Sequence, residues 1–270
     1  MRHWGPMNKL EKISTSNVKI TDLHEYNEMV DFYAKANDLV GKNYKTSTLI
    51  SLPVNIQHSW EYAINSYGFR GLDWTFQKTP AFFGCSCTFG HGVETPVSEI
   101  LAKKLGVDVI PNLGSPGAGF VTIIKLFSAF TRLHPVSDAI IMLPGINRVF
   151  LPEYQLSNKV WNHRNFILNY PRSDKKFFKK VVSVFNDDVL VSYFSDYVDW
   201  ANEIAKNRDI TIHWGSWDSD VLDLLRQKNI NTTMFRFNLD RAVDGSHPGP
   251  KCHVELSNEI YKKIIKQDNA

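Results

Sequence analysis

The chain has 270 residues and a mass of 31.0 kDa, with 43% hydrophobic residues, 22% charged residues and a net charge of +3. That is ordinary globular composition, with enough apolar mass for a core that needs no staples, and a charge margin too small to point to nucleic acid or a membrane surface. No apolar run reaches the roughly 18 residues that span a bilayer. The opening MRHWGPMNKLEKIS lacks the apolar stretch of a secretory signal. Three cysteines cannot all pair within one chain. The expectation is a cytoplasmic protein in a reducing compartment, without a disulfide scaffold.

The chain shows no internal repeat and no low-complexity tract. Segment 20–40 spaces Leu23, Tyr26, Met29, Val30, Phe32 and Tyr33 as a helix would. Segment 43–80 is rich in Asn, Ser, Thr, Gly and aromatics without a sustained period. Residues 1–78 are therefore set apart as an N-terminal extension or accessory lobe, and 79–270 as the main domain. From residue 80 the pattern is regular. Ala81–Cys85 reads as a first strand. Thr95 as N-cap and Pro96 at the first helical position open a helix over 96–105, stopped by Gly106. Val107–Pro111 reads as a second strand. Residues 117–133 form a helix with Phe120, Ile123, Ile124, Phe127 and Phe130 on one face, and 138–143 a third strand. Helices over 174–207, a strand at 210–214, a helix at 218–228, a strand at 232–237 and a helix at 249–266 complete the series. Short apolar strands alternating with helices predict an α/β fold, a three-layer α/β/α sandwich with a central parallel sheet of about five strands. In such sheets ligands bind beyond the carboxyl ends of the strands.

Four short stretches occupy those positions. After strand one, Gly84-Cys85-Ser86-Cys87-Thr88-Phe89-Gly90 flanks a serine with small residues at a tight bend, which suits a nucleophile whose neighbouring N–H groups meet an oxyanion. A plain turn of small residues is the competing reading. After strand two, Asn112-Leu113-Gly114-Ser115-Pro116-Gly117 enters a helix, whose exposed N–H groups can cradle a phosphate; no Gly-Lys-Ser/Thr follows, which disfavours a P-loop, and an ordinary turn and helix start is the bland alternative. After strand three, Gly145-Ile146-Asn147-Arg148 offers a carboxamide that can donate to an oxyanion or cap the next segment. Near the C-terminus, Asp244-Gly245-Ser246-His247 can place a carboxylate against an imidazole.

Taken together and in this order, these stretches resemble the SGNH hydrolases, the GDSL-like esterase/lipase family. The family carries Gly-x-Ser-x-Thr/Ser-x-Gly, Asn-x-x-x-x-Gly, Gly-x-Asn and Asp-x-x-His. The resemblance covers about residues 65–265, and Asn65–Gly71 also looks like a stretch found before the first strand in some bacterial members. It implies the flavodoxin-like fold of that family. It also implies a catalytic triad of Ser86, Asp244 and His247, with an oxyanion hole from the Ser86 and Gly117 N–H groups and the Asn147 carboxamide; Gly114 is the alternative if the register shifts. The activity implied is that of a serine esterase on a short-chain acyl ester, acetyl included, of a carbohydrate or small molecule, with no metal or organic cofactor. The chain departs from the family at Cys85, where Asp is frequent, and at Arg148, where Gly-Gly-Asn-Asp is usual. Arg148 then either contacts an anionic substrate group or forms a surface salt bridge.

Other residues carry weaker signals. Cys85, Cys87, His91, His247, Cys252 and His253 could be drawn as a zinc site, but Cys-x-Cys without a second pair is a poor signature. Read as strand, Cys85 and Cys87 both point away from Ser86 and serve as small buried residues. His213, at the end of strand four, is a structural or pocket-rim residue, and His91 lines the acyl site or packs beside it. Phe150, Tyr154, Trp161, Trp214 and Trp217 lie beyond strands three and four, where they stack on substrate or simply pack. The connection at 149–173 is long, as lids and substrate walls are, and its Leu-Pro and Tyr-Pro pairs break any single helix. The lysines within 175–180 form a solvated helix face. Competing functions are an acyltransferase with the same triad, a non-catalytic binding module, and a nucleotide-binding protein that the missing phosphate motifs disfavour. The partner expected is an ester substrate, with no nucleic acid and no membrane; the oligomeric state is left open.

Overall fold

The computed structural model describes residues 62–63, 65, 69–74, 77–155, 160–167 and 187–267. The expected helix over 20–40 and the lysine run within 175–180 lie outside the described residues. In chain order the elements are β1 (Thr79–Gly84), a single helical turn α1 (Ser86–Phe89), α2 (Val97–Leu105), β2 (Asn112–Gly114), α3 (Phe120–Leu133) and β3 (Val136–Leu143). A hairpin of β4 (Arg148–Gln155) and β5 (Val160–Ile167) follows, then α4 (Asp187–Asn207), β6 (Thr211–Ser216), α5 (Ser219–Gln227), β7 (Thr232–Met234) and α6 (Pro250–Gln267). Five strands make one parallel sheet in the order β2-β1-β3-β6-β7.

Strand side chains alternate between two cores. Ala81 and Phe83 of β1, with Ala139, Ile141 and Leu143 of β3, face a cluster closed by α3, α4 and α5. Phe82, Ile140 and Met142 face a second cluster closed by α2 and α6. Both faces are buried, which is why these strands read as continuous apolar runs rather than alternating ones. Phe83 meets Phe127 edge to face at 5.4 Å, and each such buried ring contributes roughly 1.5–3 kcal/mol. Phe69 and Trp74, on the N-terminal side of the expected boundary at 78, belong to the first cluster.

Several boundaries differ from expectation for local reasons. The second strand is Asn112–Gly114 rather than 107–111: pairing with β1 begins where the Pro111 carbonyl accepts the Phe82 N–H at 2.9 Å. α2 starts at Val97, and Pro96 is its cap (φ −76, ψ 165), so Thr95 is not. The Val97 N–H is instead accepted by His253 Nδ1, from α6, at 3.1 Å. α3 starts at Phe120 because Ser115–Ala118 form a turn closed by Ala118 N–H on the Ser115 carbonyl at 3.0 Å. Pro116 and a positive-φ Gly117 (φ +80) are the residues a type II turn requires at its two central positions. β6 runs to Ser216, so His213 lies within the strand, and β7 ends at Met234 rather than 237. The long connection after β3 holds the antiparallel hairpin, with Arg148 opposite Ile167. Among the described residues no helix is long and apolar enough to cross a membrane.

Candidate active site

The chain passes from β1 outward to β2, then back across to β3 on β1's other side. A crevice opens where strand order reverses in this way, beyond the carboxyl ends. Ser86 follows β1, Gly117 follows β2 and Asn147 follows β3, so three of the four stretches reach that rim. The fourth arrives in the loop before α6.

There, His247 Nε2 lies 2.9 Å from Ser86 Oγ, across 161 residues of chain. His247 Nδ1 lies 2.5 Å from Asp244 Oδ2. The carboxylate is ringed by further donors: Oδ1 accepts the N–H groups of Ser246 and His247, each at 3.0 Å, and Oδ2 accepts the Ser246 hydroxyl at 2.9 Å. Burial alone would raise the Asp244 pKa, but the His247 side chain and these backbone donors outweigh it and hold the group well below the usual carboxylate range. Asp244 is thus ionised at any working pH, and fixes the proton of His247 on Nδ1, leaving Nε2 to face the serine.

Ser86 stands at the first position of α1, not in a strand, so Cys85 and Cys87 are placed by a helical turn rather than by alternation. Both are buried all the same. The turn is clamped from β2. Asn112 donates from Nδ2 to the Thr88 carbonyl and the Ser98 hydroxyl, each at 3.1 Å, and accepts the Gly114 N–H at 3.0 Å. Gly114 supplies close approach: a Cβ there would stand 2.2 Å from the Phe89 nitrogen. Its own N–H is already spent on Asn112, whereas the Gly117 N–H has no partner among the described residues. The Ser86 N–H is likewise unpaired, as first-turn donors are, and so is the half-exposed Asn147 carboxamide.

A second layer of residues was not legible as functional. Arg70 is 3% exposed, and its guanidinium donates to the carbonyls of Phe89 (3.2 Å), Gly90, Val93 (2.7 Å) and Glu94 (2.6 Å). Burial brings its pKa down to about 10. Tyr62 stacks under that guanidinium at 4.6 Å and accepts the Gly92 N–H at 2.7 Å. The Gly92 carbonyl in turn accepts Val243 N–H at 3.1 Å, so the segment after Ser86 holds the segment before Asp244. Asp240 anchors the other side by accepting the N–H groups of Lys251 (2.9 Å) and Cys252 (3.2 Å) at the start of α6. The only hint of Arg70 in the sequence is the Asn65–Gly71 stretch.

The remaining candidates fall as follows. His91 Nε2 is 3.3 Å from Asp244 Oδ2, and its ring lies 4.5 Å from that of His247. Burial pushes His91 down to about 4, with the charge of His247 adding to the effect, so it is neutral. Arg148 opens β4 with its guanidinium 5.5 Å from the centre of the Trp217 ring. His213 is buried away in the sheet, 2.8 Å from Asp138. Trp214 is not a loop residue: it lies in β6 and donates to Asn202 at 3.1 Å. Phe150 and Tyr154 fall on β4 and Trp161 on β5.

Among the described residues, the potential metal ligands that converge are His91, Asp244 and His247; the cysteines do not join them. A tetrahedral ion holds its N and O ligands about 3.3 Å apart, from bond lengths near 2.0–2.1 Å. The 2.5 Å between Asp244 and His247 fits a shared proton and not two ligands of one ion.

No family model and no curated protein matches the chain. Similar solved structures include a protein assigned to the lipolytic G-D-S-L family from Desulfitobacterium hafniense DCB-2, at 12% identity over 69% of this chain and 99% of that one, TM-score 0.43. A Clostridium thermocellum family 3 carbohydrate esterase matches at 13% identity over 68% and 94%, TM-score 0.40. A member of the lipolytic protein G-D-S-L family from Veillonella parvula DSM 2008 matches at 14% identity over 69% and 99%, TM-score 0.40.

Proposed function

We propose that the protein is a serine ester hydrolase of the SGNH type, removing a short acyl group, such as acetyl, from a carbohydrate or small-molecule ester. Residues 79–270 form its hydrolase domain and 1–78 an extension to it. The observation that carries this reading is the unbroken line from Ser86 Oγ through His247 to Asp244.

In this mechanism His247 Nε2 takes the Ser86 proton as Oγ attacks the ester carbonyl. Asp244 stabilises the imidazolium that forms without taking its proton. The Ser86 and Gly117 N–H groups and the Asn147 carboxamide receive the oxyanion. His247 then protonates the departing alcohol, leaving acyl-Ser86, and the reverse sequence with water frees the acid. Each step balances without an added redox or metal partner.

The test is labelling with a fluorophosphonate. The wild-type chain takes one label, on Ser86, and Ser86→Ala takes none and loses on the order of 10⁴–10⁶ in kcat. A Ser86→Ala variant that turned over p-nitrophenyl acetate at the parent rate would overturn the proposal. A series of acyl chain lengths, followed by acetylated sugars, then assigns the substrate, and the ratio of hydrolysis to alcohol acylation decides between water and another acceptor.

A further inference from the structure

Resting on that assignment of Ser86, we propose that Arg148 is an anion-reading subsite, and that the substrate is an ester bearing a carboxylate or phosphate group close to the scissile bond. Arg148 directly follows Asn147 at the crevice rim and is half-buried. Its guanidinium lies over the Trp217 ring at 5.5 Å. Trp217 is itself braced against Phe237, ring centres 5.6 Å apart.

Five other arginines are committed. Arg70 serves four carbonyls, Arg208 the Ser128 carbonyl and Thr131 hydroxyl, Arg226 pairs with Asp223, Arg236 with Glu255, and Arg241 reaches the Ser246 carbonyl. The Arg148 side chain meets no carboxylate and no carbonyl among the described residues. A guanidinium that is stacked on an indole keeps its planar fork but has lost part of its water, and it is satisfied best by a two-oxygen anion. It is also near the chemistry. The Cys85 thiol, held down chiefly by a hydrogen bond from Cys87 and against the effect of burial, is lowered further by the charge of Arg148. Cys85 is the residue before Ser86, so the cation acts within electrostatic reach of the nucleophile's own turn.

An anion fixed there orients the ester against Ser86, and this effect appears in kcat/KM for charged esters over neutral ones. The experiment compares matched pairs on the full-length protein. On the acyl side these are p-nitrophenyl acetate and mono-p-nitrophenyl succinate. On the alcohol side they are phenyl acetate against 4-acetoxybenzoate, and phenyl acetate against 4-acetoxyphenyl phosphate. The wild-type protein prefers the anionic member in at least one arm, and that arm locates and identifies the anion. Arg148→Gln lowers the anionic-to-neutral ratio by about tenfold or more, the worth of a charge-assisted hydrogen bond, and Arg148→Lys restores part of it. Added salt lowers the wild-type ratio, a readout that needs no variant. A ratio insensitive to salt and to Arg148→Gln in every arm, or a parallel fall for charged and neutral esters, overturns the subsite. Fluorophosphonate labelling run alongside separates the two claims: an unlabelled wild type counts against Ser86, whereas a labelled protein with an unmoved ratio counts against Arg148 alone.

Discussion

His91 Nε2 and His247 Nδ1 address the same oxygen of Asp244, at 3.3 Å and 2.5 Å. Burial keeps His91 neutral, with a pKa of about 4, so its ring meets the carboxylate as an uncharged neighbour rather than as a cation. Packed with its ring centre 4.5 Å from that of His247, it holds that imidazole between Asp244 and Ser86 as a positioning residue. His91→Ala is expected to lower kcat by roughly 10–100-fold with KM little changed, and His91→Phe, which keeps a ring in the same place, to restore most of the rate. Steady-state kinetics on one neutral ester, with urea unfolding alongside, checks this. A loss of stability with no loss of kcat in His91→Ala would assign the residue a purely structural part.

Asn147 is the side-chain donor proposed for the oxyanion, and its carboxamide is uncommitted among the described residues. Its proposed work is confined to the oxyanion. Asn147→Ala then lowers kcat by roughly 100–1000-fold, about 2.7–4 kcal/mol of barrier, with KM little changed. Steady-state kinetics on one neutral ester checks this. A rise in KM at constant kcat would place Asn147 in ground-state binding instead.

Arg70 touches none of Ser86, Asp244 and His247, yet four carbonyls between Phe89 and Glu94 depend on it. Lysine cannot reproduce that fork, since it is a single point of charge. Arg70→Lys is expected to destabilise the fold by about 1–3 kcal/mol for the acceptors left unsatisfied. It should also lower kcat, because Gly92 of the same segment holds Val243 beside Asp244. Denaturant unfolding and ester kinetics measure the two effects. A variant that is less stable but fully active would detach Arg70 from the site.

The parallel sheet was legible because strands buried on both faces leave unbroken apolar runs, as Ala139–Leu143 does. The second strand was misplaced by the same logic. Val107 and Ile110 are apolar because they pack into the second cluster with α2, and Val109 because it packs against the first, not because the segment pairs with β1. Ser86, Asn147 and Asp244 with His247 could be picked out because each sits in a short spacing at a strand end or before a helix. Arg70 could not be, since its partners are backbone carbonyls 19–24 residues away, and no side-chain pattern announces a carbonyl. Nor could the shared oxygen of Asp244, which exists only once the segment Gly90–Gly92 has folded over the C-terminal loop.

Three desolvated histidines make the fold sensitive to acid. Burial alone pushes His134 down to about 3, and His253 is brought to about 3 mainly by burial, while His91 stands at about 4. The ordinary value, which the unfolded chain regains, is 6.5. Folded-state values lie below the unfolded one, so the stability is complete above about pH 6.5 and is lost as pH falls toward the folded values. Between those limits each such imidazole contributes a slope of about 1.4 kcal/mol per pH unit. Asp244 adds nothing in this window, because its ordinary pKa of 3.8 lies at the bottom of it and its folded value lower still. His134 stacks on Phe130 at 4.3 Å, so phenylalanine fits the same slot without titrating. Urea unfolding at several values between about pH 7 and 5 should show stability falling with acid in the wild type, and His134→Phe should remove about one histidine's share of the slope. An unchanged slope in that variant would mean that His134 is free to take up its proton in the folded protein.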